Sequence, residues 1–431
     1  MKVLIISHNS FSTFQSMGKT FCTLFSQFKK EELCQLYIYP TIPDVPFCDS
    51  FYRITDKDVL KFFRTFRVKG TVIQPEDVNE SQHNLFENPK DLSVYRNKKN
   101  KTVFRTLARD FLWQITPWFN ASLKKWLREQ NITHIFVSPG GYKFVYDIAL
   151  KCAKFLNAPI VTYVCDEYFF VDKRTRIIEK IQDYLFKKKM SQLMKKTSTI
   201  VTISEEMKNL YEPFFNRPTE VVMTGSSFPI TESPKEINEI KELTYMGNLS
   251  CNRYVSLCEI GDALDEINQK NNESYILKIY TGEKNLAILD ELAKRKSIKM
   301  MGFITGEEFN LVFHSAQCLL HVEAFDEKSI DYVKNSISTK IADSLGSGIP
   351  LLAYGPSNIA SIRHLMRNNS AFCIDNKNVL KESLLFYLKM PIVNRTQIVK
   401  NALIAARKFH DLKIVGESIC HLLTNKIENV I

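Results

Sequence analysis

Short apolar runs recur along the chain, separated by longer stretches in which apolar and polar positions mix. In the first half, residues 3–6, 36–39, 132–137, 159–164 and 199–203 read as buried strands. In the second half, residues 243–246, 276–280, 298–301, 318–322 and 351–354 read the same way. Between them, 18–28, 142–156, 359–366 and 380–388 are predicted helices, and 397–423 is predicted as one long amphipathic helix. Strand and helix alternate in both halves, which predicts an α/β protein with mainly parallel sheets. Residues 229–241 break the pattern with two prolines and a run of charge, and read as a linker. The predicted division is 1–228, the linker 229–241, a second Rossmann-like half 242–395 and a terminal helix 396–431. No internal repeat or low-complexity tract interrupts it.

Polar chemistry concentrates between His321 and Pro356. Glu323 stands where the strand over 318–322 ends. Ser338, Thr339 and Lys340 precede a helix carrying Ile341 and Leu345 on one face, and Gly348 and Pro350 stop it. Ligands of open α/β sheets bind at the carboxyl edge of the strands. Helix N-termini attract phosphate because their N–H groups lack partners. Gly247, after the first strand of the second half, lets a phosphate approach the backbone. Arg253 follows; its guanidinium suits two phosphate oxygens, or it is a plain surface arginine at a helix start. Lys340 and Asp343 are three apart and equally suit a surface ion pair.

The run STKIADSLGSGIPLLAYG, with Val322-Glu323-Ala324-Phe325 ahead of it, resembles the nucleotide-sugar motif of retaining GT-B glycosyltransferases. The group is the family-4-like one, and within it bacterial surface-polysaccharide transferases with Ser-Thr-Lys before the helix. Glu323 matches the first acid of the motif and Asp343 the second, seven residues before Pro350. The second acid is Asp where the motif usually has Glu, and twenty residues separate it from the first. The resemblance implies two Rossmann-like domains facing each other across a cleft, with the C-terminal helix crossing back. It implies a nucleotide-sugar donor, no metal, and a lipid-linked or oligosaccharide acceptor on the side of residues 1–228. Glu323 would sit by the sugar, and Asp343 by the ribose. Lys340, Arg253, Ser338 and Thr339 would meet the leaving diphosphate. Gly247 and Asn248 would border the donor phosphates; Asn248 stands where the family usually has a basic residue. The loop with Gly282 would lie beside the nucleotide, and the segment with Phe303 against the base. Asp166, after the strand over 159–164, would face the acceptor and the transferred sugar, or cap a helix. Gly18 would lie in the acceptor-side loop, or in a simple strand–helix turn with Lys19 solvated.

Bulk properties narrow this reading. A chain of 431 residues exceeds one ordinary core, and its 45% hydrophobic and 24% charged content is that of a globular protein. The formal net charge of +11 suits a polyphosphate substrate, an anionic membrane surface or nucleic acid. No nucleic-acid-binding signature accompanies it, so no nucleic-acid partner is expected. The ten cysteines form no C-x-x-C pair, and the first residues are too short an apolar run for a secretory leader. Reduced thiols and a cytoplasmic place, with peripheral contact to the membrane, are expected. Residues 95–129 are basic and aromatic, with Arg96, Lys98, Lys99, Lys101, Phe111, Trp113, Trp118, Phe119 and Trp126. They read either as a lipid-facing surface or as a helix with aromatic core residues. A second cationic helix is predicted over 173–196, with Arg174 and Lys187–Lys189 around Ile177, Ile181 and Leu185. Asp56-Lys57-Asp58 spells the D-x-D of metal-dependent transferases, but its context is that of a helix cap and acidic first turn. Gly18-Lys19-Thr20 ends like a phosphate loop, yet Thr13 stands where that loop needs glycine. Two rivals remain: an inactive GT-B-shaped scaffold of a polysaccharide assembly, and a phosphate-loop nucleotidase.

Overall fold

The computed structural model describes residues 1–13, 16–78, 103–170 and 176–424. They form two compact units, Met1–Thr224 with Val415–Ile431, and Gly225–Ile414. Unit 1 holds strands β1 (Val3–Ser7), β2 (Leu33–Tyr37), β3 (Ser50–Arg53), β4 (Thr71–Ile73), β5 (His134–Ser138), β6 (Ile160–Val164), β7 (Thr197–Thr202) and β8 (Thr219–Val221). Its helices are α1 (Ser16–Leu24), α2 (Asp56–Thr65), α3 (Val103–Ile115), α4 (Ala121–Glu129), α5 (Lys143–Leu156), α6 (Ile177–Lys196) and α7 (Glu205–Phe215). The sheet order is β4-β3-β2-β1-β5-β6-β7-β8. All pairs are parallel except β3 with β4, an antiparallel edge. β1, β2 and β6 are buried at every position, as strands covered on both faces must be.

Unit 2 holds β9 (Glu242–Met246), β10 (Ile276–Tyr280), β11 (Ile298–Gly302), β12 (Leu319–Val322), β13 (Leu351–Tyr354) and β14 (Phe372–Ile374). Its helices are α8 (Arg253–Asn271), α9 (Leu286–Ala293), α10 (Gly306–Ser315), α11 (Glu327–Val333), α12 (Lys340–Gly346), α13 (Ala360–Arg367), α14 (Leu380–Leu388) and α15 (Ile392–Phe409). The order β11-β10-β9-β12-β13-β14 is wholly parallel and reverses direction between β9 and β12. That is the Rossmann strand order, and the reversal is where such sheets open a crevice. Unit 1 reverses between β1 and β5.

Two expectations change, and one open alternative is decided. Residues 229–241 do carry no helix or strand, but they lie along unit 2. Thr231 N–H donates to Gly346 O at 2.9 Å, Lys235 N–H to Gly348 O at 3.0 Å, and Arg395 reaches Asn238 O at 3.0 Å. The long terminal helix is two helices, α15 and then α16 (Leu412–Thr424). Asp411 restarts the helix because its Oδ1 accepts the N–H of Lys413 at 2.9 Å and of Ile414 at 3.2 Å. Val415, Ile419 and Leu423 of α16 then enter the core of unit 1 with Val3, Phe21 and Phe136. Of the two readings of the aromatic stretch, the core reading holds for its tryptophans: Trp113, Trp118 and Trp126 are buried. Their indole N–H groups donate to Asp56, to Trp113 O and to Ser50, so each ring is fixed from inside. Arg96, Lys98, Lys99, Lys101 and Arg174 lie outside the described residues.

Candidate active site

The reversal between β9 and β12 gathers most of the residues singled out in the second half. Gly247 follows β9 directly, and its N–H donates to Tyr280 O at 2.9 Å at the end of β10. Thr281 N–H in turn donates to Gly302 O at 2.8 Å at the end of β11. The loops bearing Gly247, Gly282 and Phe303 are thus tied along one sheet edge. The Phe303 ring is 72% exposed and lies over Gly282, where a Cβ would stand 3.2 Å from it.

Glu323 follows β12 and is buried. Arg253, at the start of α8, grips it in a fork: Nε to Oε2 at 3.0 Å and Nη2 to Oε1 at 3.0 Å. Arg253 Nη1 also donates to Asn248 Oδ1 at 3.3 Å, and that oxygen takes the Ser250 N–H and hydroxyl as well. Asn248 therefore shapes the loop and steers the guanidinium. Ser256 Oγ donates to Glu323 O at 2.9 Å, and Glu323 N–H donates to Tyr354 O at 2.9 Å. Backbone and side chain of Glu323 are both pinned.

Lys340 opens α12, anchored by Ile341, Ala342 and Leu345, which are buried. Its ammonium lies 4.9 Å from the centre of the Tyr245 ring. A Cβ on Gly247 would meet the lysine's ammonium, so a larger residue there would push the end of the side chain aside. Among the described residues Lys340 makes no hydrogen bond and no ion pair. Burial, and then the nearby Arg253 charge, pull its pKa down to about 8, with Glu323 acting in the opposite sense. Ser338 donates its N–H to Ser361 Oγ at 3.0 Å, and Thr339 makes no side-chain cap. Because α12 is only seven residues long, Lys340 rather than a helix dipole is the main positive element. Asp343 turns the other way: its Oδ1 accepts the Ser227 N–H at 2.6 Å and the Ser226 hydroxyl at 3.4 Å.

One participant was not marked by the sequence reading. His321 precedes Glu323 by two residues, so both side chains leave the strand on the same face. It is buried, and its Nε2 stands 3.4 Å from Glu323 Oε1 without a hydrogen bond. Burial, Lys340 and Arg253 hold its pKa well below the usual value, so the ring is neutral. The period of two would have flagged it.

The unit 1 candidates lie in separate places. Gly18 is inside α1, packed so closely on the preceding loop that a Cβ would stand 2.5 Å from Ser12 Cβ. Asp166 follows β6, is exposed and accepts the Tyr168 hydroxyl at 3.0 Å. The D-x-D triplet is engaged in the helix: Asp58 forms a capping box with Thr55, and Asp56 Oδ1 takes Arg109 Nε at 2.9 Å and Trp113 Nε1 at 2.8 Å. Among the described residues no group of three or more His, Cys, Asp or Glu side chains is placed to hold a metal. At the β1/β5 reversal, the His8 ring stacks on Tyr142 at 4.1 Å, and Arg109 lies over Tyr142 and Phe144.

No family model matches the sequence, and no curated protein does. Solved structures do, and they show the class of fold: the chain has the GT-B glycosyltransferase fold, two parallel-sheet units with a C-terminal helix. One similar structure is the UDP-forming trehalose-phosphate synthase of Burkholderia xenovorans with glucose-6-phosphate, at TM-score 0.62 and 9% identity over 98% of this chain and 100% of that one. Another is sucrose-phosphate synthase of Thermosynechococcus elongatus, at TM-score 0.61 and 10% identity over 98% of both chains. A third is HepE of Anabaena in complex with UDP and glucose, at TM-score 0.60 and 10% identity over 99% of this chain and 100% of that one.

Proposed function

We propose that the chain is a glycosyltransferase that moves a sugar from a nucleotide-sugar donor to a glycan or lipid-linked acceptor. In this reading it retains configuration at the anomeric carbon, needs no metal, and works in the cytoplasm on cell-surface polysaccharide. The observation that carries the proposal is Lys340, an ammonium without an ion-pair partner at the β9/β12 reversal, beside a glycine that leaves it room. A charge in that state gains from an incoming diphosphate. As the bond from the anomeric carbon to the diphosphate breaks, negative charge grows on the phosphate, and Lys340 with the Ser338 and Thr339 hydroxyls stabilises it. That charge is what a divalent cation supplies elsewhere, which supports the metal-free reading. Arg253 holds Glu323 in place by the developing oxocarbenium, and neutral His321 adds no competing charge. Phe303 over Gly282 offers a flat face for the base. Asp343 anchors the helix that presents Lys340, and the ribose role that the motif match gives it would require its carboxylate to turn from Ser227 to the ribose hydroxyls. Asp166 and Gly18 belong to the acceptor side. Retention is supported by the match of Glu323 to the motif's first acid.

The test is a thermal-shift panel of nucleotide sugars in the presence of a chelator, UDP-sugars first because two of the similar structures are UDP-forming or hold UDP. One base should raise the midpoint in wild type and leave Lys340→Ala unmoved. Silence across the panel contradicts the proposal.

A further inference from the structure

His321 lies in β12 two residues before Glu323, and its capacity for hydrogen bonding is unmet. The ring is 6% exposed, and among the described residues Nε2 has no hydrogen-bond partner. Ala353, beside it in register on β13, brings no side-chain donor or acceptor. The charged groups around it are Lys340 and Arg253, which with burial hold the ring neutral, and Glu323, whose Oε1 is 3.4 Å from Nε2. A neutral imidazole carries one N–H and one bare nitrogen. With a carboxylate on the Nε2 side, the proton belongs on Nε2, because a lone pair there would face the charge on Oε1. His321 therefore points an N–H at Glu323 without closing the bond.

For stability alone the arrangement is unfavourable. A buried N–H without a partner is worse than an apolar group of the same shape. Its use lies with the carboxylate. Arg253 grips Glu323, but Arg253 follows residues 247–252, a turn without helix or strand. That turn borders the proposed donor phosphates and has to adjust to them. His321 shares its strand with Glu323, so the spacing of their backbones is set by the pleat and not by the turn.

We propose that His321 is a positioning residue of the transfer reaction: its Nε2–H takes Glu323 Oε1 when the nucleotide sugar is bound, and fixes the carboxylate where positive charge grows on the sugar. A diphosphate entering beside Arg253 draws on the same guanidinium, and the carboxylate then keeps a second hold. The role rests on the placing of Glu323 beside the sugar under the proposed function.

The test combines two variants with one spectrum. His321→Phe keeps a ring and removes the N–H, and His321→Gln restores a side-chain N–H. Release of nucleoside diphosphate is followed with a panel of UDP-, GDP- and ADP-sugars, beside the thermal midpoint of each protein. His321→Phe should lower kcat by about ten- to a hundredfold, with KM for the sugar nucleotide unchanged and the midpoint unchanged or raised. His321→Gln should recover most of kcat. Nitrogen-15 spectra of the wild-type imidazole should show the proton on Nε2 at neutral pH. A proton on Nδ1, or a stable His321→Phe protein that turns over like wild type, overturns the proposal and leaves the transfer reading standing. So does an equal loss of midpoint and kcat in both variants, the mark of a ring needed only for packing. No release from any donor by wild type overturns the transfer reading, and the positioning role falls with it.

Discussion

The two sheets reverse their strand order in the same manner, yet the ends of those reversals settle their charges differently. In unit 1, Arg109 has Asp56 at 2.9 Å and two aromatic faces, and His8 is stacked on Tyr142. The cation there is met from within the unit. In unit 2, Arg253 is matched to Glu323, and Lys340 feels that carboxylate but makes no ion pair of its own among the described residues. Both places have the topology of a binding crevice. The second buries a lysine, Lys340, that makes no ion pair, and the proposed donor site rests on that charge, not on strand order.

The sharpest way to break this contrast is to remove the cations in turn. Lys340→Ala should lower kcat of transfer by about 10²–10³-fold, the scale of losing one group that stabilises developing charge. Arg109→Ala should leave the donor-induced thermal shift intact; equal losses would erase the distinction. Next in size is the buried pair. Glu323→Ala leaves the Arg253 guanidinium without its partner and should cost about 3–5 kcal/mol in urea unfolding. The double variant with Arg253→Ala should recover much of that, and additive losses would show the two are not coupled. In unit 1, Asp56→Ala removes one acceptor from both Arg109 and Trp113, and about 1–3 kcal/mol of stability should go with it, without effect on donor binding.

The smallest effect is in pH. The Lys340 pKa is pulled down to about 8, so its charge is present below that pH and lost as pH rises through it. Donor affinity should therefore fall on the alkaline side with a midpoint near 8, and Lys340→Arg should carry that limb to higher pH. The same depression means that the folded protein binds fewer protons than the unfolded chain between 8 and the ordinary lysine value of 10.5. Stability gains with rising pH across that window, and Lys340→Met should raise the thermal midpoint slightly.

The apolar runs were enough to place β10, β13 and α14 within a residue; for β13 this is because a strand covered on both faces must be apolar throughout, and β10 shows through alternate burial. Glu323 was legible because it ends such a run. Edge strands β4, β8 and β14 were not, since three-residue strands at a sheet's rim carry little periodicity, and β3, one place in from the edge, is a four-residue run too short to stand out. The break between α15 and α16 was hidden by continuous amphipathic spacing, with Asp411 the only sign. The aromatic stretch stayed open between two readings because composition does not say which side of a helix faces inward, so the tryptophans and Phe111 looked alike. The partnership of Arg253 with Glu323 joins residues far apart in sequence, and local spacing carries no trace of it.

The most direct measurement is a calorimetric titration of UDP and GDP into wild type and Lys340→Met, with a chelator present at neutral pH. The account predicts that wild type binds one of them and that Lys340→Met binds it at least about tenfold more weakly, about 1.4 kcal/mol, with the fold intact. Equal affinity in the two proteins, or binding that appears only when a divalent metal is added, would contradict it.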